Sequence, residues 1–423
     1  AITVGLADSL MVATVGDAAI SAVSLVDSIS NLMIYIFSAM ATGGAAVAGQ
    51  YIGQRQKEDA CHAGQQLIAL LAAVSVFFVA LLYLFRTQIL TVMFGHIEPD
   101  VMAATNTYYL YVMASIPGIA LYNGGAALWR TMGRSDISLK VSLLMNGINV
   151  AGNAILIFGF GMDVAGVAIP TLVSRAVAAA VILGMLFNDK LTLHLSNVRA
   201  FRLDMRLMKN IFYIGVPSGV ENGMFQLGRL VLFSLISTFG TASMVANAIG
   251  NTIANFNCFA GQAINLGLAA VVSQCVGAGE FDQARAYMKK IVKWTYGIMA
   301  VVNLTIIALL PLIMRVYNVS PEAEKLAVTV SLIHGISSIF LWIPAFTIPS
   351  FLRAAGDAQF TMLASMTTMW LVRVLLAYVL GRYLGYGVVG VWFAHAILDW
   401  LVRGSVFILR YRSGKWESMG IKT

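Results

Sequence analysis

Long apolar runs follow one another along almost the whole chain, and they constrain the fold more than any other feature of the sequence. Of the 423 residues, 59% are hydrophobic and only 11% are charged. A soluble domain carries about 25% charged residues, so this chain is too apolar to bury its own surface within a globule. At about 20 apolar residues per bilayer crossing, the length allows about twelve crossings with short loops. The sequence therefore predicts an all-α polytopic membrane protein and excludes a soluble enzyme, a nucleic-acid-binding protein and a disordered chain.

Glycines, prolines and clusters of charge divide the apolar runs into predicted helices. The first run ends near Gly16, which is too short for a span, and it lacks the basic start and cleavage site of a signal peptide. We therefore expect the numbering to begin inside a first helix that is truncated at its N-terminal end. The twelve predicted helices cover residues 1–15, 21–52, 60–85, 101–132, 136–160, 163–188, 207–239, 243–276, 282–310, 322–353, 358–384 and 387–411.

A repeat with an offset of 223 or 224 residues relates the first half of the chain to the second. Self-similarity at a fixed offset is the sequence signature of a duplicated architecture. Because each half has an even number of helices, we expect the halves to be parallel repeats that cross the membrane in the same direction. The matching positions are Gly16 and Gly240, Gln50-x-x-Gly53 and Gln274-x-x-Gly277, Ala60 and Ala284, Arg130-x-x-Gly133 and Arg353-x-x-Gly356, Gly161 and Gly385, and Gly166-Val167 and Gly390-Val391.

The longest polar connection lies between the sixth and the seventh predicted helix and separates the two halves. The predicted domains are an N-terminal six-helix lobe at 1–188, a cytoplasmic linker at 189–206, a C-terminal six-helix lobe at 207–411 and a cytoplasmic tail at 412–423.

Lysine and arginine are concentrated in the loops on one side of the predicted helices. The other side receives only Arg86, Arg315, Lys325 and Arg382. Because cytoplasmic loops carry the excess of basic residues, the linker and the C-terminus are expected to be cytoplasmic. The sequence predicts a multi-pass protein of the plasma membrane, in bacteria the inner membrane.

Asp8 is a carboxylate inside a predicted span, where an ionisable group is costly and indicates a function. Asn149 and Asn153, one turn apart, and Thr171 supply neutral oxygens from the fifth and sixth predicted helices. Oxygen ligands without thiols suit a hard cation such as Na⁺, or a carboxylate that accepts a proton. We predict a cation-coupling site at these four residues, with H⁺ or Na⁺ at Asp8. Hydrogen bonds between helices are the alternative for the two asparagines.

The second half replaces neutral oxygens by charged side chains at the corresponding positions, for example Asn149 by Arg373. Asp399 and Arg403 are four residues apart on one helical face and are expected to pair. A structural or gating role is favoured over substrate binding for this group. The predicted polar cluster of the C-terminal lobe consists of Glu221, Arg373, His395, Asp399 and Arg403.

The predicted helices 21–52 and 243–276 carry carboxamides beside soft and aromatic side chains. A central cavity lined in this way would suit flat amphipathic cations, because aromatic rings attract cations and methionine adapts its shape. Ordinary helix packing is the alternative for any single one of these residues. The candidate cavity residues are Asp27, Asn31, Met33, Tyr35, Asn251, Asn255, Phe256 and Phe259.

The two Arg-x-x-Gly segments are predicted to form equivalent turns, one in each half. Glycine is favoured where the backbone turns tightly. The arginines, Arg130 and Arg353, are expected to bond to carbonyl groups at the end of the preceding helix.

Several segments resemble the multidrug and toxic compound extrusion (MATE) family. The resemblance implies twelve helices in two six-helix bundles around a V-shaped central cavity. It also implies the export of organic cations and other drugs in exchange for protons or sodium ions. The segments are GLADSLMVATVG at 5–16, VAGQYIGQRQKEDA at 47–60, LWRTMGRSD at 128–136, NVAGNAILIFGFGMDVAGVAIPT at 149–171, GVPSGVE at 215–221, SQCVGAGEFDQA at 273–284 and FLRAAGDAQF at 351–360.

The resemblance also implies roles for individual residues. Asp8 falls on the helix 1 aspartate of the family's cation site, and the three neutral oxygen donors fall on its partners. Some members have Asp where this chain has Asn153. The acids that other members use in the second half have no clean match, since Glu221 is too close to Pro217 and the other position falls near Trp342.

A flippase for lipid-linked oligosaccharides or other lipids, from the same superfamily, is the nearest alternative, because Arg175, Arg229 and Arg373 could hold a pyrophosphate. A membrane enzyme would need clustered catalytic groups such as HExxH, which the five histidines do not form. A channel would need a filter-like loop. We expect a secondary active antiporter that alternates access between two lobes and is not an enzyme. It needs no cofactor besides the coupling ion, contacts organic cations and membrane lipid but no nucleic acid, and acts as a monomer.

Overall fold

A computed structural model describes residues 11–12, 16–94, 99–195, 203–317 and 319–420. Every regular element in these ranges is helical, as expected for a chain whose backbone must satisfy its own hydrogen bonds in lipid. Nine helical stretches within them are long and apolar enough to cross a membrane. For the described residues, the prediction of an all-α protein with several membrane spans is confirmed.

The helices are joined mostly by short connections. In chain order they are α1 (Asp17–Gly53), α2 (Lys57–Leu84), α3 (Arg86–Phe94), α4 (Pro99–Ala114), α5 (Ile116–Thr131), α6 (Ser135–Ala154), α7 (Ala165–Gly184), α8 (Met205–Ser237), α9 (Thr241–Gly277), α10 (Phe281–Tyr317), α11 (Pro321–Phe340), α12 (Ile348–Ala354), α13 (Ala358–Thr367), α14 (Leu375–Tyr378), α15 (Gly387–Phe393) and α16 (Trp400–Arg412). The π-helical stretches are Ile155–Gly159, Ile343–Thr347, Thr368–Val374, Val379–Tyr383 and Ala394–Asp399.

Helices occupy each predicted segment from 21–52 onward. The segments 358–384 and 387–411 alternate between α-helical and π-helical stretches, and two other segments are interrupted by a non-helical residue. The segment 101–132 is divided at Ser115, whose hydroxyl donates to the carbonyl of Val112 at 2.6 Å. The segment 322–353 is divided after Phe340, ahead of Pro344, whose ring removes a backbone donor. Helix α3 was not predicted, because its nine residues are too few for a span.

The chain packs into two compact units. Unit 1 comprises Ala1–Ala48 and Gln56–Gly215, and unit 2 comprises Gly49–Arg55 and Val216–Thr423. The last turn of α1 therefore packs with unit 2. In unit 2, buried apolar residues gather in clusters that include Trp392, Trp400 and Trp416.

Two π-helical stretches of unit 2 carry the charged residues that the sequence singled out. Arg373 lies in Thr368–Val374, and His395 and Asp399 lie in Ala394–Asp399. A π-helical turn is wider than an α-helical one and changes which side chains face the interior. The α-helical spacing used for the prediction therefore describes these segments only in part.

The two Arg-x-x-Gly turns have the same backbone geometry. Gly133 and Gly356 both have positive φ, 78° and 102°. In each turn the glycine N–H donates to the carbonyl three residues back, at 2.9 and 3.0 Å, and the next N–H donates to the carbonyl five residues back. The predicted equivalence is confirmed. The expected role of Arg353 is wrong, because its guanidinium binds the side chains of Glu221 and Ser350.

Candidate ion-coupling site and polar clusters

The three neutral side chains whose oxygens are predicted to bind the coupling ion lie on adjacent helices of unit 1. The Nδ2 of Asn149 on α6 donates to the Oγ1 of Thr171 on α7 at 3.1 Å. Asn153 lies one turn further along α6 and is fully buried, while Asn149 is buried as well. Asp8, at which Na⁺ or H⁺ is predicted to bind, lies outside the described residues.

Close packing of α6 on α7 positions this pair. A methyl group added at Gly152 would stand 2.7 Å from the Cβ of Pro170, so only glycine lets the proline ring approach α6. Pro170 lies inside α7 and lacks the N–H that would bond to the carbonyl of Gly166. The carbonyl oxygen of Gly166 therefore receives no hydrogen bond from the backbone of residue 170.

A second polar group in unit 1 surrounds Asp27. Tyr108 donates to the Oδ1 of Asp27 at 3.3 Å, and Arg175 attracts the carboxylate electrostatically. The Nη1 of Arg175 also donates to the hydroxyl oxygens of Ser115 and Ser30, at 2.8 and 3.4 Å. The sequence singled out Asp27 and Arg175 separately. Their association and the part played by Tyr108 depend on the packing of α1, α4 and α7.

The remaining candidate cavity residues differ in exposure within their own units. In unit 1, Asn31 and Tyr35 are exposed, whereas Met33 is buried. In unit 2, Asn255 is exposed, and Asn251 donates to the carbonyl of Asn247 at 2.9 Å. The aromatic members, Phe256 and Phe259, are 42% and 58% exposed.

A buried ionic cluster in unit 2 joins Arg373, Asp399 and Arg403. The Oδ2 of Asp399 lies 2.9 Å from Nη2 of Arg373 and 3.0 Å from Nη2 of Arg403. The Nε of Arg403 donates to the Oγ1 of Thr368 at 3.1 Å, and its guanidinium stacks over Phe225 at 4.5 Å from the ring centroid. The structure thus shows the expected pair of Asp399 and Arg403 and adds Arg373 to it.

This cluster places two guanidinium groups around one carboxylate, and all three side chains are almost completely buried. Removing one partner of a buried ion pair is strongly destabilising, because it leaves an uncompensated charge. Asp399 is the counter-ion of both arginines, so it holds the cluster together.

Two members of the predicted cluster have other surroundings. Glu221 pairs with Arg353, whose Nη1 is 3.2 Å from both carboxylate oxygens. His395 lies among aromatic rings, with ring centroids 5.6 Å from Trp392 and 5.9 Å from His334. Arg353 and His334 come from distant segments, so the sequence gives no indication of these two contacts, whereas Trp392 is only three residues from His395.

The part of the chain that the structure describes contains no group of three or more His, Cys, Asp or Glu side chains that could hold a metal ion. The candidate site in unit 1 consists of the hydrogen-bonded side chains of Asn149 and Thr171, and that in unit 2 of a carboxylate shared by two arginines.

A family model described as MatE matches the chain twice, at residues 2–155 and 217–379. The matched residues make up more than half of the chain. The chain belongs to the MATE family. The same model matches each half separately, which agrees with the internal repeat. Members of this family are transporters and not enzymes, need no cofactor, and couple transport to ion gradients.

Individual relatives are similar over almost their whole length. The "Uncharacterized transporter YisQ" of Bacillus subtilis is 28% identical over 99% of this chain and 91% of its own length. The "Probable multidrug resistance protein NorM" of Thermotoga maritima is 23% identical over 99% and 90%. A solved structure of a MATE protein in the bent conformation has a TM-score of 0.89 at 18% identity, with 99% of this chain and 92% of that chain covered. The likeness to that structure shows that the fold is shared.

Proposed function

We propose that this MATE protein is a secondary active antiporter that exports organic cations and drugs across the plasma membrane in exchange for protons or sodium ions. Family membership supports export, since relatives carry names such as NorM multidrug resistance protein and MepA multidrug export protein. The ion exchange is supported by the contact between Asn149 and Thr171, which places two of the proposed oxygen ligands side by side inside a span. Taken alone, this contact is also the hydrogen bond between helices that is the alternative for Asn149.

The proposed ion site consists of one carboxylate, Asp8, and the neutral oxygens of Asn149, Asn153 and Thr171. Such a site has one negative charge when it is empty, so one proton or one monovalent cation neutralises it. Carboxylate, amide and hydroxyl oxygens are the ligands that hard cations prefer. The absence of basic side chains among the four residues favours binding of a cation over a permanent ion pair.

Exchange then requires only that ion and drug favour different conformations of the protein. Ion binding would stabilise one packing of the helices that carry Asp8, Asn149 and Thr171, while the drug would stabilise another. Two six-helix lobes that alternate access to the two sides of the membrane would complete the cycle. We also propose that the linker and the C-terminus lie in the cytoplasm, that the protein acts as a monomer, and that it contacts lipid directly.

The proposed substrates are flat organic cations. Aromatic side chains that are exposed in their own unit, such as Tyr35, Phe256 and Phe259, can bind a cation over the ring face. Asp27 could contribute a negative charge, with its orientation fixed by Tyr108. Exposed carboxamides at Asn31 and Asn255 would bind polar groups of the drug.

The flippase alternative depends on arginines that are free to hold a pyrophosphate. Arg373 is instead engaged by Asp399, together with Arg403, and Arg175 donates to two serine hydroxyls. These contacts disfavour the flippase at Arg175 and Arg373. Arg229, the third arginine of that alternative, is exposed.

The proposed function is tested by transport with purified protein in lipid vesicles. We expect an imposed proton gradient or an imposed sodium gradient to drive dye-like organic cations across the membrane, in the direction opposite to the ion flux. The matched control is the same vesicle with no gradient. Equal movement with and without both gradients would contradict ion-coupled export.

A further inference from the structure

The C-terminal segment Ser413–Gly420 packs onto one end of unit 2 through a buried tryptophan. Trp416 is 0% exposed, and its ring centroid lies 4.8 Å from that of Phe351 and 6.1 Å from that of Tyr411. Its Nε1 donates to the carbonyl of Tyr411 at 3.1 Å, and the guanidinium of Arg285 lies 5.6 Å from the ring. A buried indole with several ring contacts and a satisfied N–H is a firm attachment.

From this attachment the segment continues to the last turn of α1. The carbonyl oxygen of Met419 lies so close to Gly356 that a side chain there would collide with it. A methyl group added at Gly420 would stand 3.1 Å from Cγ1 of Val276 and 3.7 Å from Oε1 of Gln50. The end of the segment therefore lies beside Val276 and the side-chain oxygen of Gln50.

Gln50 in turn holds the last turn of α1 within unit 2. It is fully buried, and its Nε2 donates to the carbonyl of Ala354 at 3.0 Å. One turn on, Gly53 packs against the carbonyl oxygen of Gln274, and Gly277 packs against that of Gln50. The tail thus lies beside the side chain that fixes this turn.

We propose that the segment Ser413–Gly420 is a positioning element for the last turn of α1, with Trp416 as its anchor and Gly420 as its contact to Gln50. Loss of the anchor uncovers Gln50 and opens this end of unit 2 to water. The consequence for transport rests on the proposed function: during exchange, the last turn of α1 moves as part of unit 2.

The test uses the full-length chain in lipid nanodiscs, where both membrane faces are accessible to a thiol reagent. Cys61, Cys258 and Cys275 are replaced by alanine, and Val276→Cys provides a single buried reporter beneath Gly420. With Trp416 present, a polar maleimide is expected to label the reporter slowly. Trp416→Ala is expected to speed labelling by about tenfold or more, and Trp416→Phe, which keeps an aromatic ring, by less than about twofold.

A second variant ends at Ser418 and so keeps the anchor but removes the contact to Gln50. It is expected to label as fast as Trp416→Ala while its melting temperature stays that of the parent protein. Unchanged labelling in both variants would contradict the proposal. Equal acceleration at a remote buried reporter, Leu128→Cys, would also contradict it, since the loss of protection would then be global. Labelling does not require transport, so a failure of export by the unmodified protein would overturn the proposed function and not this result.

Discussion

Gly53 lies against the carbonyl oxygen of Gln274 so closely that the helix can carry only a hydrogen atom at that position. The relationship is reciprocal, because Gly277 lies against the carbonyl oxygen of Gln50. These residues belong to the two Gln-x-x-Gly segments that the sequence repeat relates. The repeat therefore supplies both sides of one close helix crossing in unit 2.

Gly53→Ala is expected to force α1 and α9 apart at this crossing, because the obstructing atom belongs to the backbone and cannot rotate away. Overpacking of this kind costs about 1–3 kcal/mol. The matched control is Gly267→Ala on α9, where an added methyl group meets open space. Thermal unfolding in detergent should show a lower melting temperature for Gly53→Ala than for Gly267→Ala. Equal melting temperatures would contradict the close approach of α1 to α9 at Gly53.

Asp399→Asn should destabilise unit 2, because Arg373 and Arg403 lose their common counter-ion in a buried site. Breaking a buried ion pair in this way costs about 3–5 kcal/mol. Asp136→Asn serves as the control, since its pairs with Arg134 and Lys140 are exposed and contribute little. The measurement is the folded fraction after heating. Equal heat resistance of the two variants would show that the buried cluster does not hold unit 2 together.

Gly356→Val should lower the yield of folded protein without changing ion preference. Its φ of 102° disfavours a β-branched residue, at a cost of about 1–2 kcal/mol, and the new side chain would also collide with Met419. Gly133→Val at the equivalent turn has the unfavourable φ but no such obstacle. Size-exclusion chromatography should therefore rank Gly356→Val below Gly133→Val. A normal yield with altered ion preference would contradict the structural role of this turn.

The sequence predicts those features of the fold that depend on residues close together in the chain. Apolar run length located the helical segments, and the Arg-x-x-Gly pattern located both tight turns, because each depends on neighbouring residues. The pair of Asp399 and Arg403 was equally predictable from its four-residue spacing.

Contacts between segments that are distant in the sequence could not be predicted from it. Glu221 and Arg353 are 132 residues apart, and nothing in the neighbourhood of either one indicates the other. The tail at 412–423 was expected only to be cytoplasmic, yet Trp416 is fully buried. A single short segment with one aromatic residue has no periodicity from which docking could be predicted. For the ion site, the sequence predicts Asn149 and Thr171 as oxygen ligands of Asp8 on neighbouring helices. Their hydrogen bond to each other and the partners of Asp27 depend on how the helices pack.

The binding of the coupling ion by Asp8 is tested most directly by drug efflux through the Asp8→Asn variant. The amide keeps the size of the side chain but can neither accept a proton at neutral pH nor supply a charge to Na⁺. Efflux is measured in the same vesicles under an imposed proton gradient and then under an imposed sodium gradient, with an equal amount of folded protein for variant and parent. We expect Asp8→Asn to remain folded and to lose efflux under each gradient that drives export by the parent. Efflux equal to that of the parent, under a gradient that drives export by the parent, would show that the coupling ion binds elsewhere in the protein.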